Sequence, residues 1–150
     1  MSDGMVLETK RNGTEYAVNI AAAEKVCFSE PWSLKAVEEF LSYGYNGAEV
    51  VLCDGEFAGY VTYSCICGEI QIANVATLPE YRRKGVGSLL LESVLQIAKE
   101  NECSVITLEV RASNMPAIAL YKKHGYTEVG IRKGYYKNPT DDALLMNFEL

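Results

Sequence analysis

The stretch from Asn74 to Leu91 constrains this chain most. A run with strand character leads into Arg82-Arg83-Lys84-Gly85-Val86-Gly87, and a helical pattern begins directly after it. Two glycines let backbone N–H groups turn toward a ligand, the helix N-terminus adds positive potential, and three consecutive cations stand beside them. Such a junction suits a pyrophosphate. The plain alternative is a tight strand-to-helix turn with solvated basic residues, and the glycines alone do not separate the two. Other phosphate motifs fail on residue order. A P-loop places Lys-Ser/Thr after its last glycine, whereas Lys84 precedes Gly85, and a dinucleotide fingerprint needs a third glycine where this chain has Leu90.

The elements around that junction alternate in type. A short strand is expected near Met5 to Thr9. Thr14 and Glu15 open a helix with apolar positions Ile20, Ala23, Val26 and Cys27, and Pro31-Trp32-Ser33 opens a second with Leu34, Val37, Phe40 and Leu41 on one face, ended by Gly44. Strands at Val50 to Cys53 and Phe57 to Ser64 flank Asp54-Gly55, a hairpin signal, and a third runs from about Glu69 to Thr77. Val86, Leu89, Leu90, Val94, Leu95, Ile97 and Ala98 follow a 3.6-residue period. Val105 to Val110 alternates, with Glu109 opposite Ile106 and Leu108. Ser113 or Asn114 caps a helix with Pro116 in its first turn, His124 and Gly125 stop it, and a strand over Leu144 to Leu150 closes the chain. This order predicts one α/β or α+β domain over residues 1–150, with a single mixed, mostly antiparallel sheet flanked by helices.

Composition narrows the function classes. With 49% apolar and 23% charged residues, the chain builds one core and is neither disordered nor fibrous. No apolar run is long enough to span a membrane, and the opening Met-Ser-Asp-Gly-Met lacks the features of a secretory signal, so a cytoplasmic setting without membrane attachment is expected. The five cysteines, at 27, 53, 65, 67 and 103, read as reduced small hydrophobes, and no ligand cluster completes a metal site. A net charge of −6 argues against direct nucleic-acid binding and favours a cationic partner.

The motifs resemble those of the GNAT acetyltransferases. Arg82-Arg83-Lys84-Gly85-Val86-Gly87 matches the family signature Arg/Gln-x-x-Gly-x-Gly/Ala. Leu108-Glu109-Val110-Arg111-Ala112-Ser113-Asn114, Ala117-Ile118-Ala119-Leu120-Tyr121, Gly125-Tyr126, Arg132-x-x-Tyr135-Tyr136, Asp142-Ala143-Leu144-Leu145-Met146 and Pro31-Trp32-Ser33 are similar to its RimI branch. The likeness covers roughly Phe28 to the C-terminus, and residues 1 to 27 carry no diagnostic motif. It implies a GNAT fold and an acetyl-CoA-dependent N-terminal acetyltransferase, acting in the best-known cases on the N-terminal alanine of the eighteenth protein of the small ribosomal subunit. By position, Arg82, Arg83, Lys84, Gly85, Val86, Gly87 and Ser88 would hold the CoA pyrophosphate. Val75, Ala76 and Thr77 would lie along the pantetheine and supply an amide to the thioester carbonyl, and Asn114 would contact the cofactor. Glu109 would be the general base and Tyr121 the general acid. Thr77, Leu78 and Ser88 depart from residues common in relatives and would tune cofactor affinity.

The chemistry can be weighed without the family. Acyl transfer needs a neutral amine. An α-amine with pKa near ~8 is about a tenth neutral at pH 7, a cost of ~1.4 kcal/mol, whereas a lysine at ~10.4 costs ~4.6 kcal/mol. One carboxylate, directly or through water, is an adequate base for an α-amine. Glu109 is the lone acid in an apolar strand; the alternative is a solvated or ion-paired edge glutamate. Tyr121 falls mid-helix, where an aromatic also serves packing. His124, the only histidine, reads as a helix cap. Tyr135 and Tyr136 are hairpin or core aromatics, or one wall of a peptide groove with Trp32 and Glu30 opposite. The rival functions are a GNAT enzyme acting on a lysine side chain, a polyamine or another small amine, and a module that binds acetyl-CoA without turnover. The preferred partner is the basic N-terminal segment of a protein, ribosomal by the resemblance.

Overall fold

Side-chain alternation and helical periodicity build a seven-stranded sheet with two helices packed on each face. The computed structural model describes residues 5–11 and 13–150; the opening residues read above for a signal, up to Gly4, lie outside them. The strands are β1 (Leu7–Lys10), β2 (Asn46–Cys53), β3 (Glu56–Ile66), β4 (Glu69–Thr77), β5 (Val105–Arg111), β6 (Thr127–Tyr136) and β7 (Asp141–Glu149). The helices are α1 (Ala17–Cys27), α2 (Leu34–Leu41), α3 (Val86–Glu100) and α4 (Met115–Lys123). Strand order is β1-β2-β3-β4-β5-β7-β6, and only the β4–β5 pair is parallel. A mixed, mostly antiparallel sheet was the expectation.

Local signals place most elements. Asp54 and Gly55 join β2 to β3 with φ of 50° and 84°, the left-handed pair that a tight hairpin requires. Ser33 caps α2, its hydroxyl accepting from the Ala36 N–H at 3.1 Å, and Asn114 caps α4 through the Ala117 N–H at 3.3 Å. In β2, Ala48, Val50 and Leu52 face Ala17, Ile20, Ala21 and Ala23 of α1, while Val51 and Cys53 join the core under α3. From α3, Val86, Leu90, Leu91, Val94, Ile97 and Ala98 pack on Val61, Ile70, Ile106 and Met146. Two cores, one on each face, hold the sheet.

Three expectations change. Thr14 and Glu15 lie in a 3-10 turn, Gly13–Tyr16, and α1 starts only at Ala17 without a side-chain cap. Val26 is exposed, because α1 turns Ala23 and Glu24 inward instead. The segment carrying Tyr135 and Tyr136 is a full edge strand, β6, which sequence reading left without an element.

Two irregularities shape the centre. Opposite Thr62 and Tyr63 of β3, β4 presents Asn74 and Ile72, so Ala73 is an extra, bulged residue. The parallel β4–β5 ladder holds for three pairs only, Glu69 to Gln71 with Val105 to Thr107. Beyond them β4 stays with β3, β5 stays with β7, and the sheet splits.

Leu90 is fully buried in the core beneath that split. Leu90→Ala is expected to lower stability by about 2–5 kcal/mol in urea denaturation with an unchanged m-value. A loss under about 1 kcal/mol would mean that α3 is not anchored there.

Candidate active site

The split between β4 and β5 opens into a cavity of about 840 Å³. Its walls bring together residues far apart in sequence: Trp32 between α1 and α2, Val75 on β4, Glu109 on β5, Asn114 and Tyr121 of α4, and Tyr135 and Tyr136 of β6. Seven of the expected site residues thus meet in one space. Ala76 is instead buried in the core under α1. Thr77 and the turn from Arg82 to Ser88 lie just beyond the cavity lining, where β4 leads into α3.

Strand geometry decides what β4 offers the gap. The Leu78 N–H donates to the Ala58 carbonyl at 2.9 Å, toward β3. Backbone groups alternate along a strand, so those of Ala76 share that side and those of Val75 and Thr77 face away from β3. The Thr77 carbonyl accordingly accepts from the Arg82 Nε at 3.2 Å and the Cys27 thiol at 3.8 Å, not from the ladder.

The turn before α3 is built for an anion. Gly85 is its N-cap at φ 88° and Arg83 sits at φ 64°, so successive residues bend the backbone around the helix end. The Leu89 N–H makes the bond to Gly85 O at 3.1 Å, leaving the amides of Val86, Gly87 and Ser88 pointing out of the helix. A Cβ on Gly87 would stand 2.7 Å from the Leu120 side chain, so α3 and α4 close on each other here. Arg82, Arg83 and Lys84 are exposed around this end. A CoA pyrophosphate fits these donors and cations, and its pantetheine could follow the outward groups of β4 into the cavity. Ser88 also meets His124, Oγ to Nε2 at 3.0 Å, and His124 stands at the C-cap of α4 as expected.

Three carboxylates face the cavity from different surroundings. Glu109 keeps a side-chain exposure of 35% and pairs laterally with Arg132, Nε to Oε2 at 3.2 Å. Glu30 is exposed at the cavity edge. Glu24, which no motif in the sequence marks, is fully buried. It accepts from the Tyr60 hydroxyl, from Asn74 Nδ2 at 2.9 Å and from the Trp32 N–H at 2.9 Å. Burial and that carboxylate push the Tyr60 phenol far above its usual range. The only hint in the sequence was its helical spacing from Ile20 and Cys27.

Tyr121 is almost wholly buried and packs at a tilt on Tyr126, ring centroids 5.9 Å apart. Burial, and then Tyr136, raise its pKa well above that of a free phenol. Tyr136 is pushed up to about 12 by burial and next by the Glu109 carboxylate. Tyr135 stands edge-on to Tyr136 at 5.1 Å. All five cysteines are free; Cys65 and Cys103 approach to 3.7 Å, and burial followed by that neighbour pushes Cys103 up to about 11. Among the described residues, no group of three or more potential ligands gathers as a metal site. None of their helices is long and apolar enough to cross a membrane.

A helix N-terminus with free amides beside a split sheet suits a ligand with an anionic group at one end and a reacting group that reaches the cavity. The chain belongs to the acetyltransferase (GNAT) family, whose model matches residues 17–126. It is 40% identical over 124 residues, 82% of each chain, to a Bacillus subtilis protein named as a putative ribosomal protein bS18-alanine N-acetyltransferase. Its fold matches the crystal structure of the ribosomal-protein-S18-alanine N-acetyltransferase from Escherichia coli with a TM-score of 0.86 at 28% identity, over 96% of this chain and 94% of that one. Arabidopsis thaliana NAA60 in complex with acetyl-CoA shares the fold at a TM-score of 0.87 and 16% identity, over 97% and 99%.

Glu24→Ala removes the acceptor of three donors, that of Tyr60 buried and those of Trp32 and Asn74 half-buried. It is expected to cost about 3–5 kcal/mol of stability, against about 1–2 kcal/mol for Tyr60→Phe, both read from urea midpoints. Equal, small losses would show that the cluster is solvated.

Proposed function

We propose that this chain, as one domain over residues 1–150, transfers acetyl from acetyl-CoA to the N-terminal α-amine of a protein, and that its acceptor is the N-terminal alanine of ribosomal protein bS18. The observation that carries this reading is the cavity with Glu109 on β5 and Tyr121 on α4, entered from the anion-binding turn at one end. The names of the 40% identical relative and of the Escherichia coli neighbour support the acceptor. Exposed Glu30 suits a basic peptide, and the free cysteines suit a reducing cytoplasm.

The donor supplies the activated acyl group as a thioester. The amides of Val86, Gly87 and Ser88, with Arg82, Arg83, Lys84 and the Gly85 turn, hold its pyrophosphate. Val75 and Thr77 line the pantetheine, Ala76 keeps that strand in register, and the Asn114 side-chain amide reaches toward the cofactor. Glu109 takes the proton from the attacking amine, directly or through water. An outward amide of β4 stabilises the charge that develops on the thioester oxygen. Tyr121 donates toward the departing sulfur. Trp32, Tyr135 and Tyr136 wall the acceptor's path.

Glu109→Gln should lower kcat/KM about 10²–10³-fold at neutral pH; an unchanged rate would remove Glu109 as base. Because burial raises the Tyr121 pKa, the phenol stays protonated through neutral and mildly alkaline pH. Tyr121→Phe should therefore lower kcat about 10–100-fold by the same factor from pH 6 to 9, with near-normal acetyl-CoA binding. Offered Ala-Arg-type N-terminal peptides, internal-lysine peptides and polyamines, the enzyme should acetylate the α-amine. Lysine or polyamine preference, or binding without turnover, would favour the rival functions. The KM for basic peptides should rise with salt.

A further inference from the structure

Arg111 lies at the end of β5, two residues past Glu109 and on the same face of the strand. Its guanidinium reaches both sides of the cavity mouth. Nη1 donates to the Pro139 carbonyl at 2.7 Å and Nη2 to the Lys137 carbonyl at 2.7 Å, both in the loop between β6 and β7. Nη2 also donates to Ser29 Oγ at 3.2 Å, in the loop between α1 and α2, while Cζ sits 4.6 Å above the Tyr136 ring. Among the described residues, no other side chain hydrogen-bonds to both loops. These loops carry or adjoin Trp32 on one side and Tyr135 and Tyr136 on the other.

We propose that Arg111 is a positioning residue for the acceptor: it straps the two walls of the peptide groove together and sets the width through which the α-amine enters. The assignment rests on the reading of that groove as the acceptor's path. The chemistry requires an arginine. Two carbonyls and a hydroxyl are met from two separate nitrogens with an aromatic face below, which suits a planar fork; the three donors of a lysine ammonium radiate from one atom and offer no flat face to the ring. The strap touches neither β4 nor the turn before α3, so the donor side is independent of it. Small errors in approach are costly in an acyl transfer, where a misplacement of about 1 Å can cost on the order of 10²-fold.

The test compares Arg111→Ala, Arg111→Lys, Ser29→Ala and the Ser29→Ala/Arg111→Ala double variant with the wild-type enzyme. Steady-state kinetics use an N-terminal-alanine hexapeptide and acetyl-CoA, and amide hydrogen exchange is followed over residues 28–33 and 136–141. Arg111→Ala should raise the peptide KM at least 10-fold while the acetyl-CoA KM stays within twofold, and Arg111→Lys should not restore it. Ser29→Ala, a surface change that leaves the core intact, should raise the peptide KM about threefold, and the double variant should be no worse than Arg111→Ala. Exchange should quicken in both loops of Arg111→Ala. A peptide KM within twofold of wild type, KM values for both substrates rising together, or multiplying effects in the double variant would each overturn the strap. If the wild-type enzyme acetylates no peptide, the acceptor reading fails on its own, and unchanged exchange in Arg111→Ala then overturns the strap as a restraint.

Discussion

Everything at the site follows from how briefly β4 and β5 pair. Three parallel pairs hold them at Glu69 to Gln71, and the bulge at Ala73 then turns β4 away with β3. A sheet that opens in its middle leaves backbone donors and acceptors without ladder partners, an arrangement tolerated only where something polar can use them. The helix that crosses over between these two strands, α3, starts at the open end. Its free amides and the outward backbone groups of Val75 and Thr77 therefore meet at one edge of the gap, at the carboxyl ends of parallel strands, where open α/β sheets generally bind their ligands. The core under α3 packs against strands on both sides of the split, while the core under α1 backs only the β2–β4 side.

The two ends of the cleft are stabilised by different kinds of contact. At the turn before α3 the determinants are local: a left-handed residue at Arg83, a left-handed glycine at 85 and the helix that follows. Around Trp32 and Tyr136 they are long-range. Glu24 ties α1 to β3, β4 and the Trp32 backbone, and Arg111 ties β5 to two loops. This contrast also separates the carboxylates. Glu24 is fully buried and engaged by three donors that tie the wall together. Glu109 has one lateral ion pair, between partners 59% and 35% exposed, which solvent weakens to about 0–1 kcal/mol. Of the two, it is the one left open to a molecule in the cavity.

The same division explains what could be read from residue order. The turn after β4, the Asp54-Gly55 hairpin, the Asn114 cap and the period of α3 are each signalled within a few residues, and each stands where expected. β6 was not legible because Gly130 and Gly134 interrupt it, its register shifts between Glu128 and Gly130 and again between Arg132 and Tyr136, and as an edge strand it shows few buried positions. Glu24 and Arg111 were illegible for another reason. The Glu24 side-chain partners lie 36 and 50 positions away, and those of Arg111 lie 26, 28 and 82 away, so no local pattern could reveal them. Val26 shows the converse: a helical period allowed it on the buried face, and the turn of α1 that buries Glu24 excludes it.

The environment of Tyr121 sharpens what it can do within the proposed reaction. A thiol resembling that of cysteine has a pKa of about 8.5, far below that of a phenol raised by burial, so full proton transfer from Tyr121 to the departing sulfur runs uphill. A phenol held neutral can still donate a hydrogen bond to sulfur as negative charge builds there, and beside a side chain as buried as Tyr121 that bond is stronger than in bulk solvent. In the proposed reaction the proton that must leave the reacting centre is the one on the amine, and Glu109 is the exposed carboxylate of the cavity that would accept it. In the proposed reaction burial would divide the labour: the exposed carboxylate would take a proton, and the buried phenol would lend a hydrogen bond without releasing its own.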